Sequence, residues 1–568
     1  MVSFQKLPTI YHLVSKRYIV AKRNYKGVRM FCNQCEETAK GTGCTIKGVC
    51  GKEGDTAALQ DVLLYLCKGI AIRNIAAIEQ GRGNREAGAF IPEALFSTLT
   101  NVNFDNKRFK ELISQAVRIR DSVPPLKGKE PEACTWTPGS EAGIAEKEKE
   151  IVLDASVNDD VRSLHSLLVY GLKGVGAYYH HAAVLGYTDD AITTFLQKGL
   201  ASTLQDLPAD QMTALVLECG GIGVKTLALL DKANTTAYGN PEITPVKTTV
   251  GKRPGILITG HDLKDLEQLL EQSKDSGVDI YTHGEMLPTH AYPAFKKYSH
   301  LVANYGSSWW HQKEEFDSFN GPLLVTTNCI VPPKETYINR IYTTGLAGYP
   351  GTTHIPSKTD GKKDFSSLIS HAKTCQPPTA PASAGRDLIT GCAHNAVLSI
   401  AGTVVEAVKK GDIGRFIVMA GCDGRQRSRE YYTEFAEALP SNTVILTAGC
   451  AKYRYNSLDL GTAGGLPRVI DAGQCNDCYS LVVIATALAE AFGVGINDLP
   501  ISYNIAWYEQ KAVLVLLALL HLGVKNITIG PELPAFVSPG ILNVLVENFG
   551  LGKNTTVADD MPRMVPGV

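Results

Sequence analysis

The spacing of apolar positions divides the chain into a helical first part and two later stretches where short apolar runs alternate with helical segments. Between residues 55 and 81, Leu59, Val62, Leu63, Leu66 and Ile70 recur at helical spacing after an Asp-Thr start, and a glycine closes the segment. The same period predicts helices over 84–119, 159–186, 189–204 and 209–235, so the first 245 residues read as nearly all helical. A Pro-, Gly- and Lys-rich stretch at 123–149 predicts an exposed loop among them. From about residue 250 the pattern changes. Apolar runs at 255–259, 278–281, 323–326, 416–419, 444–447 and 527–529 alternate with helical patterns, which implies parallel sheets covered by helices. The expected fold class is multidomain α + α/β. A stretch rich in Lys, Pro, Ala and Ser at 354–386 marks the joint between two α/β units, with a boundary near 390.

Composition narrows the classes. With 56 basic against 57 acidic side chains, the chain has no bias toward polyanions, and nucleic acid is not an expected partner. The longest apolar stretch, 512–524, falls short of the ~20 residues a membrane span needs and predicts a buried helix. The first thirty residues hold seven Lys or Arg and no Asp or Glu. That bias fits either a targeting segment of mitochondrial type or a basic tail. Fourteen cysteines are too dilute for a disulfide scaffold, and their placement near glycines, carboxylates and histidines favours metal ligation in a reducing compartment over secretion.

Four of them, Cys32, Cys35, Cys44 and Cys50, form a C-x2-C-x8-C-x5-C run that one looping segment can wrap around an inorganic core. Four thiolates suit a [4Fe-4S] cluster, and Gly41, Gly43, Gly48 and Gly51 let backbone amides approach its sulfides. They also suit tetrahedral zinc, although zinc sites more often pair two tight C-x2-C units.

A second constellation emerges at the ends of the predicted strands, where α/β sheets gather ligands. His261 follows one strand, Glu285 the next, and Cys329, Cys422 and Cys450 close three more. Cys475, at a predicted helix start, and Glu509, after another strand, share their character. Singly, each reads as an ordinary core residue; together they form a set of thiolates, imidazole and carboxylates suited to iron bridged by both sulfur and oxygen. Cys67 and Cys219 read as packing residues, and Cys134 and Cys375 fall in loop-like sequence. Cys475 and Cys478 make a C-x2-C without the context of a redox dithiol. The glycines at 220, 221 and 223 lack the spacing of a phosphate loop, so nucleotide binding is not expected.

These residues resemble the hybrid-cluster protein family, also called prismane proteins or hydroxylamine reductases. The matching motifs are Cys-Asn-Gln-Cys-Glu-Glu-Thr at 32–38, Thr-Gly-His-Asp at 259–262, His-Gly-Glu-Met-Leu-Pro at 283–288, Asn-Cys at 328–329, Ala-Gly-Cys-Asp-Gly at 420–424, Gly-Cys-Ala-Lys-Tyr at 449–453, Gly-Gln-Cys-Asn-Asp at 473–477 and Trp-Tyr-Glu-Gln-Lys-Ala at 507–512. The likeness implies a helical-bundle domain (31–245) with the N-terminal cluster, then two Rossmann-like α/β domains (250–390 and 391–568) with a hybrid [4Fe-2O-2S] cluster at their interface. His261, Glu285, Cys329, Cys422, Cys450, Cys475 and Glu509 would ligate that cluster, with Cys422 able to carry a persulfide sulfur. The x2, x8, x5 spacing matches members whose N-terminal cluster is [4Fe-4S]. Departures are the basic extension at 1–30 and the extra thiol, Cys478.

The implied activity is reduction of hydroxylamine to ammonia and water, with nitric oxide reduction at the same site and a non-catalytic electron carrier as alternatives. Glu285 or Glu509 would dissociate or take up a proton during turnover, and His261 and Lys511 would assist proton delivery. No flavin or nicotinamide motif is visible, so an external donor, ferredoxin-like or an NADH-dependent reductase, is expected. The location implied is the cytoplasm, or the matrix of a mitochondrion-related organelle if residues 1–30 are a targeting segment.

Overall fold

The computed structural model describes residues 30–152 and 158–566; the basic extension at 1–29 lies outside the described residues. Helices Gly54–Glu79, Arg85–Ser97, Asn106–Ser122, Glu141–Val152, Asp159–Val184, Asp190–Ser202 and Ala209–Tyr238 fill the first part. Leu59, Val62, Leu63, Leu66 and Ile70 are all buried in the bundle core. The helical pattern read over 84–119 breaks between Ser97 and Asn106, where Asn101 takes a left-handed conformation and Asp105 caps the next helix. The stretch at 123–149, expected as a loop, instead contains a short turn of helix at Glu132–Cys134 and the start of Glu141–Val152.

Two six-stranded sheets follow, every strand parallel to its neighbour. The first runs Leu301–Asn304, Asp279–His283, Gly255–Thr259, Leu323–Val325, Ile341–Thr344, Thr353–Ile355. The second runs Val469–Asp471, Thr443–Thr447, Arg415–Val418, Ile501–Ala506, Ile527–Gly530, Gly552–Lys553. The multidomain α + α/β class expected from the sequence is the class observed. The start of the 354–386 stretch belongs to the first sheet as its edge strand, and Ser366–Lys373 packs on that sheet.

Strand order fixes where ligands can bind. In each sheet the order reverses once, between Gly255–Thr259 and Leu323–Val325 and between Arg415–Val418 and Ile501–Ala506. Loops diverge at such a point and leave a crevice beyond the carboxyl ends. His261 and Cys329 follow the strands flanking the first crevice, and Cys422 and Glu509 follow those flanking the second.

The helix Gln510–His521 belongs to the second α/β unit but packs on Asp159–Val184 and Ala209–Tyr238. Glycines make that approach possible: a Cβ on Gly220 would sit 2.1 Å from the Leu517 carbonyl oxygen, and one on Gly174 2.9 Å from that of Gln510. The glycines at 220–223, rejected as a phosphate loop, are thus a helix-packing surface. Ala209–Tyr238 and 475–492 are long and apolar enough to cross a membrane by length and composition. Both contribute buried residues to the main core.

Candidate active site and metal centres

The segment 30–53 has little regular structure. Cys32 and Cys44 exchange both backbone hydrogen bonds (3.1 and 2.8 Å), which folds the loop back on itself. The Cys35 thiol is held well above its ordinary range, first by burial and then by the neighbouring Cys50 and Cys32 thiols, Glu37 and Cys44. Burial likewise pushes Cys32 up to about 12. Thiols held up in this way, as at Cys32 and Cys35, stay protonated unless a cation is near, and a bound metal would replace their protons. A Cβ on Gly48 would lie 3.0 Å from the Cys50 sulfur, so a side chain there would crowd the thiol. These features fit a metal centre held by Cys32, Cys35, Cys44 and Cys50.

The second centre is built at the facing crevices. One buried cavity is lined by His261, Glu285, Cys329, Cys422, Cys450, Cys475 and Glu509, with Lys511, Asn328, Trp309 and Tyr508 beside them. Gly421 carries its neighbour into place: at φ 115° it turns the chain out of the sheet, and a Cβ there would meet the Ala506 carbonyl oxygen at 2.0 Å. The Cys422 amide then donates to the same carbonyl at 2.8 Å.

Second contacts orient the donors. His261 Nδ1 bonds the Thr327 hydroxyl (2.9 Å), which leaves Nε2 for the cavity. Nε2 lies 3.7 Å from Glu285 Oε2 and 3.1 Å from Lys511 Nζ. The Cys475 amide donates to Glu285 Oε2 (2.7 Å), while Glu285 Oε1 is buried without a hydrogen-bond partner. Ligating atoms of His261, Glu285 and Cys475 lie within 4.8 Å of one another. Glu509 Oε2 accepts from the Lys511 amide (2.8 Å), and Lys511 Nζ lies 3.2 Å from Asn328 Oδ1 and 3.5 Å from Glu509 Oε1.

Burial pushes Cys422 well above its usual range, with Glu509 adding to the shift, and pushes Cys475 up to about 12. Burial also keeps His261 uncharged, reinforced by Lys511. Glu285 is raised by burial, partly offset by Lys452. Lys511 is opposed by burial yet held above its ordinary range by Cys475, Glu509, Cys329 and Glu285. An orphaned carboxylate oxygen and four thiols around one cavity fit a cation-bearing group with both soft and hard faces.

The seven residues picked from strand ends and a helix start all line this cavity, together with Lys511. Cys478 does not; it lines an adjoining apolar chamber. Cys67 and Cys219 lie in helix packing, and Cys134 is buried with its thiol 3.6 Å from the Gly69 carbonyl. Cys375 donates to the His371 carbonyl at 3.4 Å. Sequence reasoning passed over Cys392, which is buried beside Asp471 and away from both centres' linings. It also missed Trp309, Asn328 and Tyr508 as cavity walls. Asn328 and Tyr508 adjoin ligand positions within short motifs, a signal that was available; Trp309 has none.

Hydrogen bonds join the segments that carry the two centres. The amide of Glu36, next to Cys35, donates to the carbonyl of Tyr508, next to Glu509, at 2.9 Å. Around it, the fully buried Glu36 and Arg429 pair at 3.2 Å, and the Gln510 side chain donates to the Gln34 carbonyl at 2.5 Å.

A helical bundle, two parallel sheets with facing crevices, and two thiol-rich centres linked by hydrogen bonds suit an iron–sulfur redox protein. The chain belongs to the Prismane/CO dehydrogenase family, whose family model matches residues 30–562. It is 58% identical over 543 residues to a hydroxylamine reductase of Desulfitobacterium hafniense, covering 94% of this chain and 98% of that protein. A hydroxylamine reductase of Methanosarcina mazei is 58% identical over 542 residues, covering 94% and 99%. One from Nitratidesulfovibrio vulgaris is 57% identical over 555 residues, covering 95% and 100%. Among solved structures, carbon monoxide dehydrogenase IV from Carboxydothermus hydrogenoformans shares the fold, with TM-score 0.54, 14% identity and coverage of 94% and 92%.

Proposed function

We propose that this chain reduces hydroxylamine, NH2OH + 2 e− + 2 H+ → NH3 + H2O. The observation that carries the reading is the convergence of four thiols, an imidazole, two carboxylates and an ammonium on one buried cavity. Relatives at 57–58% identity bearing the name hydroxylamine reductase support it. His261, Glu285, Cys329, Cys422, Cys450, Cys475 and Glu509 would hold a hybrid [4Fe-2O-2S] cluster, and Cys32, Cys35, Cys44 and Cys50 a [4Fe-4S] cluster. When bound, such clusters supply iron sites for nitrogen and a store for electrons.

The chain's own residues do the rest. Lys511, charged and in reach of His261 and Glu509, holds a proton at the cavity wall. Asn328 fixes the Lys511 ammonium through its Oδ1. Trp309 and Tyr508, with ring centroids 4.8 Å apart, cover the cavity and exclude bulk water. The Glu36 to Tyr508 hydrogen bond is the shortest bonded link between the two ligand sets, and electrons from an external donor would cross there. All fourteen cysteines are unpaired in disulfides, which suits a reducing compartment such as the cytoplasm.

The test is anaerobic purification with iron and sulfide analysis, paramagnetic resonance, and ammonia counted against electrons from a reduced viologen. One ammonia per two electrons is expected. Fully loaded protein that forms no ammonia, or zinc at the N-terminal site, refutes the reading.

A second reading, reduction of nitric oxide to nitrous oxide at the same cavity, is favoured by the apolar chamber alongside it. Its walls, including Val418, Leu446, Val482 and Leu519, suit a small apolar gas.

A further inference from the structure

The cluster cavity has two neighbours of opposite character. The apolar chamber shares Gly421, Cys422, Cys475 and Lys511 with it. On another side lies a small polar pocket that shares only His261 with the cavity. Its floor is made by His181, Asn234, Asp262, Gln474 and Asn476, all buried. Its rim reaches solvent at Val184, which is 39% exposed, and at Lys264, whose side chain is 40% exposed. Two partly exposed residues and the imidazole of a cavity residue thus line the same pocket.

His181 is the informative group. Its Nδ1 faces the Asp262 carboxylate at 3.9 Å, and its ring centroid is 6.2 Å from that of His261. Its Nε2 is buried with no hydrogen-bond partner, in a residue only 8% exposed. A buried polar atom without a partner is costly, and native structures rarely keep one unless something else fills the role. Leu185, Leu230 and Leu263 complete a wall of mixed character, and its polar groups and small size suit a small guest that both donates and accepts hydrogen bonds. Water and hydroxylamine have that chemistry; nitric oxide does not.

We propose that this pocket is a binding and transit site for small polar molecules. It takes hydroxylamine in between Val184 and Lys264, holds it on His181 Nε2, and delivers it to the His261 side of the cluster cavity. Apolar gases use the other chamber. This division of traffic rests on the hydroxylamine reading given above.

Two measurements test it on the loaded enzyme. The first is a crystal of oxidised enzyme soaked in hydroxylammonium. A molecule within hydrogen-bonding distance of His181 Nε2, displaced in His181→Phe, is expected; a pocket lacking it in the wild type overturns the proposal. The second compares His181→Phe and Asn476→Leu with Val482→Trp, which obstructs the apolar chamber, at equal iron content. The first two should lower kcat/KM for hydroxylamine roughly tenfold, the scale of one lost hydrogen bond, and leave nitric oxide consumption within twofold. Val482→Trp should do the reverse, and His181→Gln, which keeps a polar atom, should recover part of the loss. Equal losses for both substrates, or no loss for hydroxylamine, overturn the proposal. If His181→Phe does not load iron, Asn476→Leu carries the test. Wild-type enzyme that binds hydroxylamine in the pocket but never reduces it would refute the proposed function and leave the pocket standing.

Discussion

At the scale of single residues, Lys511 shows how a buried ammonium is kept. Burial alone would discharge it, but Cys475, Glu509, Cys329 and Glu285 reverse the shift. Lys511→Met removes this proton donor while leaving the Lys511 amide bond to Glu509 intact. Hydroxylamine turnover should fall roughly 100-fold or more, with iron content unchanged; steady-state rates on matched iron content check it. Glu509→Ala removes a proposed ligand atom instead, and the paramagnetic signal of the proposed hybrid cluster should vanish while that of the proposed N-terminal cluster persists. An unchanged spectrum would take Glu509 off the ligand set. Glu509 was visible in the sequence because it follows a strand, whereas Lys511 came in only with the family resemblance. Trp309 and His181 were not visible, since an aromatic ring or an imidazole in a helical pattern reads as packing until its neighbours are known.

At the scale of elements, the site depends on a helix lodged in a groove of glycines. Gln510–His521 carries Glu509 and Lys511 at its N-terminal end, and Gly174 and Gly220 let it approach. Gly220→Ala would force the Leu517 carbonyl away, a strain on the order of 1–3 kcal/mol for overpacking. The apparent melting temperature should drop, and the second cluster should be lost in preference to the first; calorimetry and cluster spectra check both. The N-terminal loop behaves oppositely. Its few backbone bonds include the Cys32–Cys44 pair, so the proposed metal ligation would supply much of its order. Stripping iron with a chelator should speed amide exchange over 30–53 far more than over the strand Ile501–Ala506. Strong strands such as Gly255–Thr259 were legible as apolar runs, whereas Leu301–Asn304 and Thr353–Ile355 are short edge strands with mixed patterns and were not.

For the whole molecule, partly buried histidines tie stability to pH. His165, His290 and His354 are each lowered from 6.5 to about 4, first by burial, with Lys68 adding to the shift at His165 and Arg108 at His354. The unfolded chain binds these protons near pH 6.5, while the folded chain resists them until about pH 4. Their contribution is therefore complete above 6.5 and is lost as pH falls toward 4. The decline of the apparent unfolding temperature from pH 6.5 to 4 should be shallower in His354→Gln than in the wild type at constant ionic strength, and an identical pH profile would contradict the shift at His354. The sequence by itself determined which residues are chemically equipped to ligate, and that strands and helices alternate after residue 250, because side-chain type and apolar period are local properties. Only the tertiary structure decided that seven ligand candidates spread over 249 positions, from His261 to Glu509, line one cavity. It also decided that a polar pocket and an apolar chamber open on different sides of it, because strand order and helix seating are set by long-range packing that no local pattern encodes.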